Sequence, residues 1–588
     1  MVGFELTLYE PWLTGADSIV NLAFESVRKI YRKRFGVIVA QGAFRDMIIC
    51  LTEFSKNSRF QKVSLQAIET LKGAVPVMLA CPECPLSTPT VEPANAEDPY
   101  MRFWFPILSA FHDILMVGED VEARNRALEY LFDTLVKYGE SFPPSFWDTI
   151  CRDLLFPIFT VLKSRSQMIQ FNSQETVGLW LSTTMIKALR NLIALLKHYF
   201  NILERMLDGF LDLLVTCICQ ENDTIARIGS SCLQQLILQS VKKLSPLHWS
   251  KIVTAFVTLF ETTTADALFT AAQNPRTLSS ASTVRPDLKG GFISDTAIEE
   301  EPEDDNVLKI EGLQSSESDA LEQQFMADAN PQSPVTTELE DYRPQQLQQQ
   351  PVVTAQRRRF FNKIITKCVL QLLMIETVSE LFQNDEVYNN IPSAELLRLM
   401  ALLKKSFSFA RKFNSDKELR MKLWREGFMK QPPNLLKQES GSASTYASIL
   451  LRMYHDTKDE RRKSRDAIED ALIPLCVDII MGYVILEEDT QQRNIIAWRP
   501  VVVDVLEGYT HFSEEDFARH INTFYPLAVD LLARDVGADI RIALQSLFKR
   551  VGEVKGMGME KGKERRMSRA SSVSQNGGYG RRGTVTGR

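Results

Sequence analysis

The sequence predicts an all-α chain of stacked helix pairs, interrupted by one long disordered insert and followed by a disordered basic tail. Three observations predict it. Apolar residues recur at helical spacing from residue 17 to about 275, and again from 357 to about 552. Strand signals are almost absent. Composition changes abruptly at 276 and again after 552.

In the first stretch, Val63, Ala67, Leu71, Val75 and Met78 place one apolar face on a helix over Gln61–Leu79. Ala127, Leu128, Leu131 and Leu135 do the same over Arg124–Tyr138. From Trp180 to Cys219 polar residues thin out, which predicts helices covered on more than one side. Prolines at 82, 85, 89, 143, 144 and 246 punctuate the run. Val37-Ile38-Val39 and Val501-Val502-Val503 are short and without partner strands, so both read as helix, with Pro500 placed in a first turn.

A loose repeat runs through these helices. An acidic or turn residue precedes a basic one, then small or apolar residues follow at helical intervals. Ser58 and Lys62 lead to Leu65, Ile68 and Leu71; Asp120 and Arg124 to Ala127 and Leu131; Asp223 and Arg227 to Ser230, Leu233 and Leu236; Asp539 and Arg541 to Leu544, Leu547 and Val551. The pattern resembles the second helix of a HEAT repeat and predicts a HEAT/armadillo-like solenoid. An early aspartate suits the helix dipole. The basic residue is expected to pair with an acid in the adjacent repeat. Glu221, Asp223 and Arg227 are the candidates for such inter-repeat contacts.

The expected division is helical repeats over 1–275, a linker over 276–356, further repeats over 357–552 and a tail over 553–588. In the linker, six of the seven residues from Glu299 to Asp305 are acidic, a Gln-rich tract follows at 345–350, and the aromatic residues are Phe292, Phe325 and Tyr342. Such a segment buries too little apolar surface to offset chain ordering. From Lys555 to Arg588 there are nine basic and two acidic side chains. Ser568 and Thr584 follow paired arginines there and are candidate phosphorylation sites.

The net charge of −6 over 588 residues argues against whole-molecule binding to nucleic acid. Nine cysteines, several within apolar helical runs, suit a reducing compartment. Cys81-Pro-Glu-Cys84 lacks a second ligand pair at metal-site spacing, so no metal or cofactor is expected. Met1–Trp12 carries Glu5, Glu10 and no basic start, unlike a signal peptide, and no run approaches the ~20 apolar residues of a membrane span. These features predict a cytoplasmic protein. No phosphate-binding loop, nucleophile elbow or zinc-protease helix is present, which gives no support to small-molecule turnover.

Several blocks carry a family resemblance. Asp223-Thr-Ile-Ala-Arg-Ile-Gly-Ser-Ser-Cys-Leu-Gln-Gln-Leu236, Arg102-Phe-Trp-Phe-Pro-Ile-Leu108, Trp180-Leu-Ser-Thr-Thr184 and the final helix Asp539–Gly552 are four of them. The most specific is Phe413–Arg420, with Leu423-Trp424, Gly427-Phe428 and Pro433-Asn-Leu-Leu-Lys-Gln-Glu439. Taken in their order along the chain, they resemble the regions downstream of the catalytic domain in the large Arf guanine-nucleotide exchange factors of the trans-Golgi, the brefeldin-A-inhibited (BIG) and yeast Sec-seven type. Nothing here resembles the exchange domain itself, so no catalytic glutamate carries over.

The resemblance implies a regulatory, non-catalytic role, with Arf and Rab GTPases as partners, self-association, and peripheral attachment to the trans-Golgi membrane. Asn434, Lys437, Gln438 and Glu439, beside a Pro-Pro turn, and Trp424 are the candidate partner contacts. A general HEAT scaffold unrelated to Arf exchange is the competing reading.

Overall fold

The computed structural model describes residues 17–81, 84, 98–162, 184–271 and 355–557. The insert up to Thr354, the tail beyond Met557 with Ser568 and Thr584, and Trp180–Thr183 lie outside the described residues, as do Pro82 and Glu83. The chain divides into two compact units, residues 1–501 and 502–588.

The first unit opens with helices α1 (Asp17–Ala40), α2 (Phe44–Lys56), α3 (Gln61–Leu79), α4 (Phe105–Val117), α5 (Val121–Tyr138) and α6 (Pro144–Ile150). It continues with α7 (Ile186–His198), α8 (Leu207–Ile218), α9 (Asp223–Ser240) and α10 (Pro246–Thr263). After the insert come α11 (Ala355–Gln383), α12 (Asp385–Asn390), α13 (Ser393–Ser415), α14 (Lys417–Arg425), α15 (Leu436–His455), α16 (Asp459–Lys463) and α17 (Arg465–Val484).

Helices pair as α2 with α3, α4 with α5, α8 with α9, α10 with α11 and α13 with α15. One row of helices then stacks α2 on α4 and α8 on α10 and α13; the other stacks α3, α5, α7, α9, α11, α15 and α17 in turn. Each helix meets its partner and its row neighbours, which is the packing of a HEAT/armadillo-like solenoid. Among the described residues there is no strand.

Local chemistry sets these elements. Helix α3 has the bounds its periodicity predicts, and Val63, Ala67, Leu71, Val75 and Met78 are all buried. Burying a Leu or Val side chain contributes about 1.5–3 kcal/mol. Asp120 caps α5 by accepting from Ala123 N at 2.8 Å, while its other oxygen accepts from Gln61 Nε2 at 2.8 Å on the preceding pair. Ser245 and His248 form a reciprocal capping box at the start of α10. From Pro246 to Thr270 the chain is long and apolar enough, by length and composition, to cross a bilayer, contrary to the sequence reading. Here α10 is a core helix covered by α8, α11 and α13, which explains its apolar excess.

The insert separates the two helices of one pair, α10 and α11. These pack directly on each other, so the chain on either side of 272–354 contributes to the same compact unit. Ala265, Leu268 and Ala271 before the insert share a buried cluster with Phe361, Ile364 and Cys368 after it.

Helix α18 (Gln492–Thr510) begins well before the position expected for it. Pro500 therefore lies inside the helix rather than in its first turn. Buried Val501, Val502, Val505 and Leu506 compensate for the backbone donor that proline lacks. In the second unit, α19 (Glu514–Leu532) and α20 (Ala538–Val554) pack on each other. Tyr509 stacks on Phe517 and Phe524 at centroid distances of 4.5 and 4.0 Å and donates to Phe517 O at 2.8 Å. Burial raises its phenol pKa.

Candidate interaction surface

The block 413–439 joins the end of α13, the short helix α14, a loop and the start of α15. Asp416 caps α14 by accepting from Leu419 N at 2.9 Å. Gly427, at φ 77°, ends that helix in the left-handed conformation, with Phe428 N bonded back to Leu423 O at 3.1 Å. A side chain at 427 would be strained there. The Pro432-Pro433 segment is fastened from outside. Arg420 Nε donates to Pro433 O at 2.7 Å and its guanidinium also donates to Asn414 O at 3.2 Å. Asn414 Oδ1 accepts from Leu435 N at 2.7 Å, and Asn414 Nδ2 donates to Glu439 Oε2 at 2.7 Å. Arg357, in the first turn of α11, pairs with Glu426 and lies over the Phe361 ring.

The five candidate contacts have different fates. Asn434 accepts from Leu436 N at 3.1 Å, holding the turn into α15. Gln438 is 3% exposed and donates to Ser406 Oγ at 3.1 Å. Glu439 is half-buried; desolvation raises its pKa, opposed by the Asn414 bond and by Arg411 and Arg420. Lys437 is exposed. Trp424 is half-buried and donates to Lys430 O at 3.3 Å. The block is thus a braced loop between α14 and α15, with Trp424 half-buried on α14 and Lys437 exposed in the first turn of α15.

Gln438 ends a chain of buried bonds that the sequence did not reveal. Thr263 on α10 donates to Gln371 Oε1 at 2.7 Å, Gln371 Nε2 on α11 donates to Ser406 Oγ at 3.2 Å, and Ser406 on α13 also accepts from Gln438 on α15. Beside it, the Ser230 and Thr377 hydroxyls lie 2.6 Å apart, and Gln234 donates to Glu380 Oε2 at 2.7 Å. Buried Arg461 donates to Ser393 Oγ, Tyr388 O and Ile391 O at 2.8–2.9 Å. These partners lie up to 147 residues apart, so no spacing rule finds them.

The inter-repeat candidates resolve differently from expectation. Arg227 bonds Asp223 at 2.8 Å one turn away on its own helix rather than an acid in the next repeat. The two side chains are i and i+4 neighbours, the shortest available reach. Asn222, not Asp223, caps α9, and Glu221 is exposed in the preceding turn. Inter-repeat ion pairs do occur elsewhere: Arg126 with Glu69 at 2.9 Å, Lys251 with Asp208 at 2.8 Å, and Lys187 with Glu129. Burial pushes the Cys217 and Cys368 thiols up to about 12, so both remain protonated packing groups. Among the described residues no cluster of His, Cys, Asp and Glu could hold a metal ion.

Paired helices, a braced loop and interior polar bonds define a helical-repeat scaffold. A family model for the BIG2 C-terminal domain matches residues 369–549. The Arf guanine nucleotide-exchange factor SEC7 of Saccharomyces cerevisiae is 43% identical over 549 residues, covering 88% of this chain and 27% of that protein. Brefeldin A-inhibited guanine nucleotide-exchange protein 1 of Homo sapiens is 25% identical over 520 residues, covering 82% of this chain and 26% of that protein. The chain is homologous to the SEC7 and brefeldin-A-inhibited Arf guanine-nucleotide exchange factors along most of its length. It spans about a quarter of the length of these relatives. A crystal structure of Kap121p bound to RanGTP aligns at 11% identity over 92% of this chain and 56% of that one. Its TM-score of 0.16 adds nothing to the helix packing described above.

Proposed function

We propose that this chain is a non-catalytic regulatory region of a large Arf guanine-nucleotide exchange factor. It binds small GTPases of the Arf and Rab families and supports recruitment of the cytoplasmic protein to the trans-Golgi membrane, with self-association as a further property. The 43% identity to yeast SEC7 over 549 residues carries this reading. The expected division into repeats, insert and tail belongs to it, with Ser568 and Thr584 as phosphorylation sites. Trp424 and Lys437 are the proposed partner contacts, because α14 and α15, which carry them, are held by a braced loop and so need little further ordering.

The test is capture of purified Arf and Rab proteins, loaded with GTP or GDP, on the immobilised chain. Preference for one or more GTP forms is expected, with Trp424→Ala weakening capture at least about fivefold, as for a modest interface anchor. Equal capture of both nucleotide forms would count against GTPase sensing. The chain alone is expected not to accelerate nucleotide release from Arf; acceleration would show an exchange activity that this reading denies.

A further inference from the structure

Helices α1, α3 and α5 border a solvent-open cavity of about 470 Å³. Arg28, Arg32, Lys62 and Arg126 line it, against one carboxylate, Glu69. That carboxylate is already engaged, accepting from Arg126 at 2.9 Å and from the Tyr130 hydroxyl. Arg28 pairs with Glu25 at 3.0 Å. Arg32 and Lys62 come from different helices, and neither makes an ion pair with any described residue. Residues 28–34 add Lys29, Lys33 and Arg34 with no acid among them, so the surrounding potential is positive.

The space exists because α3 carries Gly73 where a side chain would enter the cavity. A Cβ built there meets only the Tyr31 hydroxyl, at 3.7 Å. Glycine within a helix costs about 1 kcal/mol relative to alanine, so nothing in helix formation favours it at this position. An open space lined by cations from three helices, two of them without an ion pair among the described residues, suits a compact polyanion.

We propose that this cavity binds a phosphate-bearing ligand, an inositol-polyphosphate-type anion either free or as a lipid headgroup, with phosphate oxygens bridging Arg32 and Lys62. If the source is a lipid, the site also supplies the membrane contact proposed above. A soluble probe tests the site independently of that contact and of GTPase binding.

The experiment is calorimetric titration of the full chain with inositol hexakisphosphate, alongside flotation with phosphatidylcholine vesicles with and without phosphatidylinositol 4-phosphate. Arg32→Glu with Lys62→Glu, and separately Gly73→Leu, are expected to weaken binding at least about tenfold. Lys29→Glu with Lys33→Glu changes net charge equally but outside the cavity, and should cost under about threefold if screened surface charge is all it alters. Vesicle capture competed by the soluble probe identifies a lipid headgroup as the source; soluble binding without capture identifies a free polyphosphate. The proposal is overturned if neither probe binds, if a well-folded Gly73→Leu chain keeps full affinity, or if the Lys29/Lys33 pair matters as much as the cavity pair. Should Gly73→Leu lose helicity by circular dichroism, the two charge-reversal pairs decide between these outcomes.

Discussion

Along α3, α5 and α7 the stacked helices meet at charged pairs that face water, Arg126 with Glu69 and Lys187 with Glu129. From α9 to α15 they also meet at neutral groups shut away from it: Ser230 with Thr377, and the Thr263–Gln371–Ser406–Gln438 chain. An exposed ion pair gains little, since solvent screens it and both long side chains lose freedom; typical values are about 0–1 kcal/mol. A buried hydrogen bond is also modest in net terms, but removing one member strands the others without water, at about 1–3 kcal/mol per group. The early seams therefore tolerate change, while the later seam demands specific partners. The stringent seam is the one that closes over the insert.

Three measurements would break or sharpen that contrast. Gln371→Leu keeps side-chain bulk but removes one bond each from the Thr263 hydroxyl, which retains Leu259 O, and from the Ser406 hydroxyl, which retains Gln438. It should destabilise the α10–α15 region by about 1–2 kcal/mol, the net loss of two buried hydrogen bonds, read by hydrogen exchange of those helices. A loss below about 0.5 kcal/mol would put the buried chain on a par with the surface pairs.

Glu439→Gln should have an intermediate, pH-dependent effect. Burial raises the folded-state pKa of Glu439, so the folded protein holds its proton to higher pH than the unfolded chain does. Its contribution to stability then falls as pH rises from the ordinary carboxylate range, about 4.3, through the raised folded value. Glutamine cannot ionise and still offers an oxygen to Asn414 Nδ2. The variant should therefore gain melting temperature relative to the parent as pH rises above the ordinary carboxylate value of about 4.3. An identical pH profile for the two proteins would refute the assignment. Smallest of all, Lys187→Met at the exposed Glu129 pair should change stability by under about 0.5 kcal/mol in moderate salt, as measured by urea denaturation.

The helices were legible because burial on one face imposes a period. Val63 to Met78 gave both ends of α3 from the apolar stripe alone. The block 413–439 was legible through its family resemblance and the Pro-Pro turn beside Asn434. What its polar groups do was not legible. Gln438 looks like a surface residue in sequence, and its partner Ser406 lies 32 residues earlier on another helix. Hydrogen bonding between helices leaves no periodic trace. Arg227 misled for a related reason: a basic residue one turn after an acid satisfies itself locally before it can reach a neighbouring repeat. The cavity beside α1 left one readable sign, Arg28 and Arg32 one turn apart, but Gly73 and Lys62 join them only in three dimensions.

The pairing of α10 with α11 has an entropic consequence. A repeat normally turns from its first helix to its second within a few residues, yet here 91 lie between Thr263 and Ala355. Closing so long a loop costs only about 2.5 kcal/mol more than closing one of about five residues, because the penalty grows with the logarithm of length. The insert can therefore lengthen, shorten or change composition with little effect on whether the array assembles. Evolution is free to rewrite that stretch while the helices at its roots stay in register.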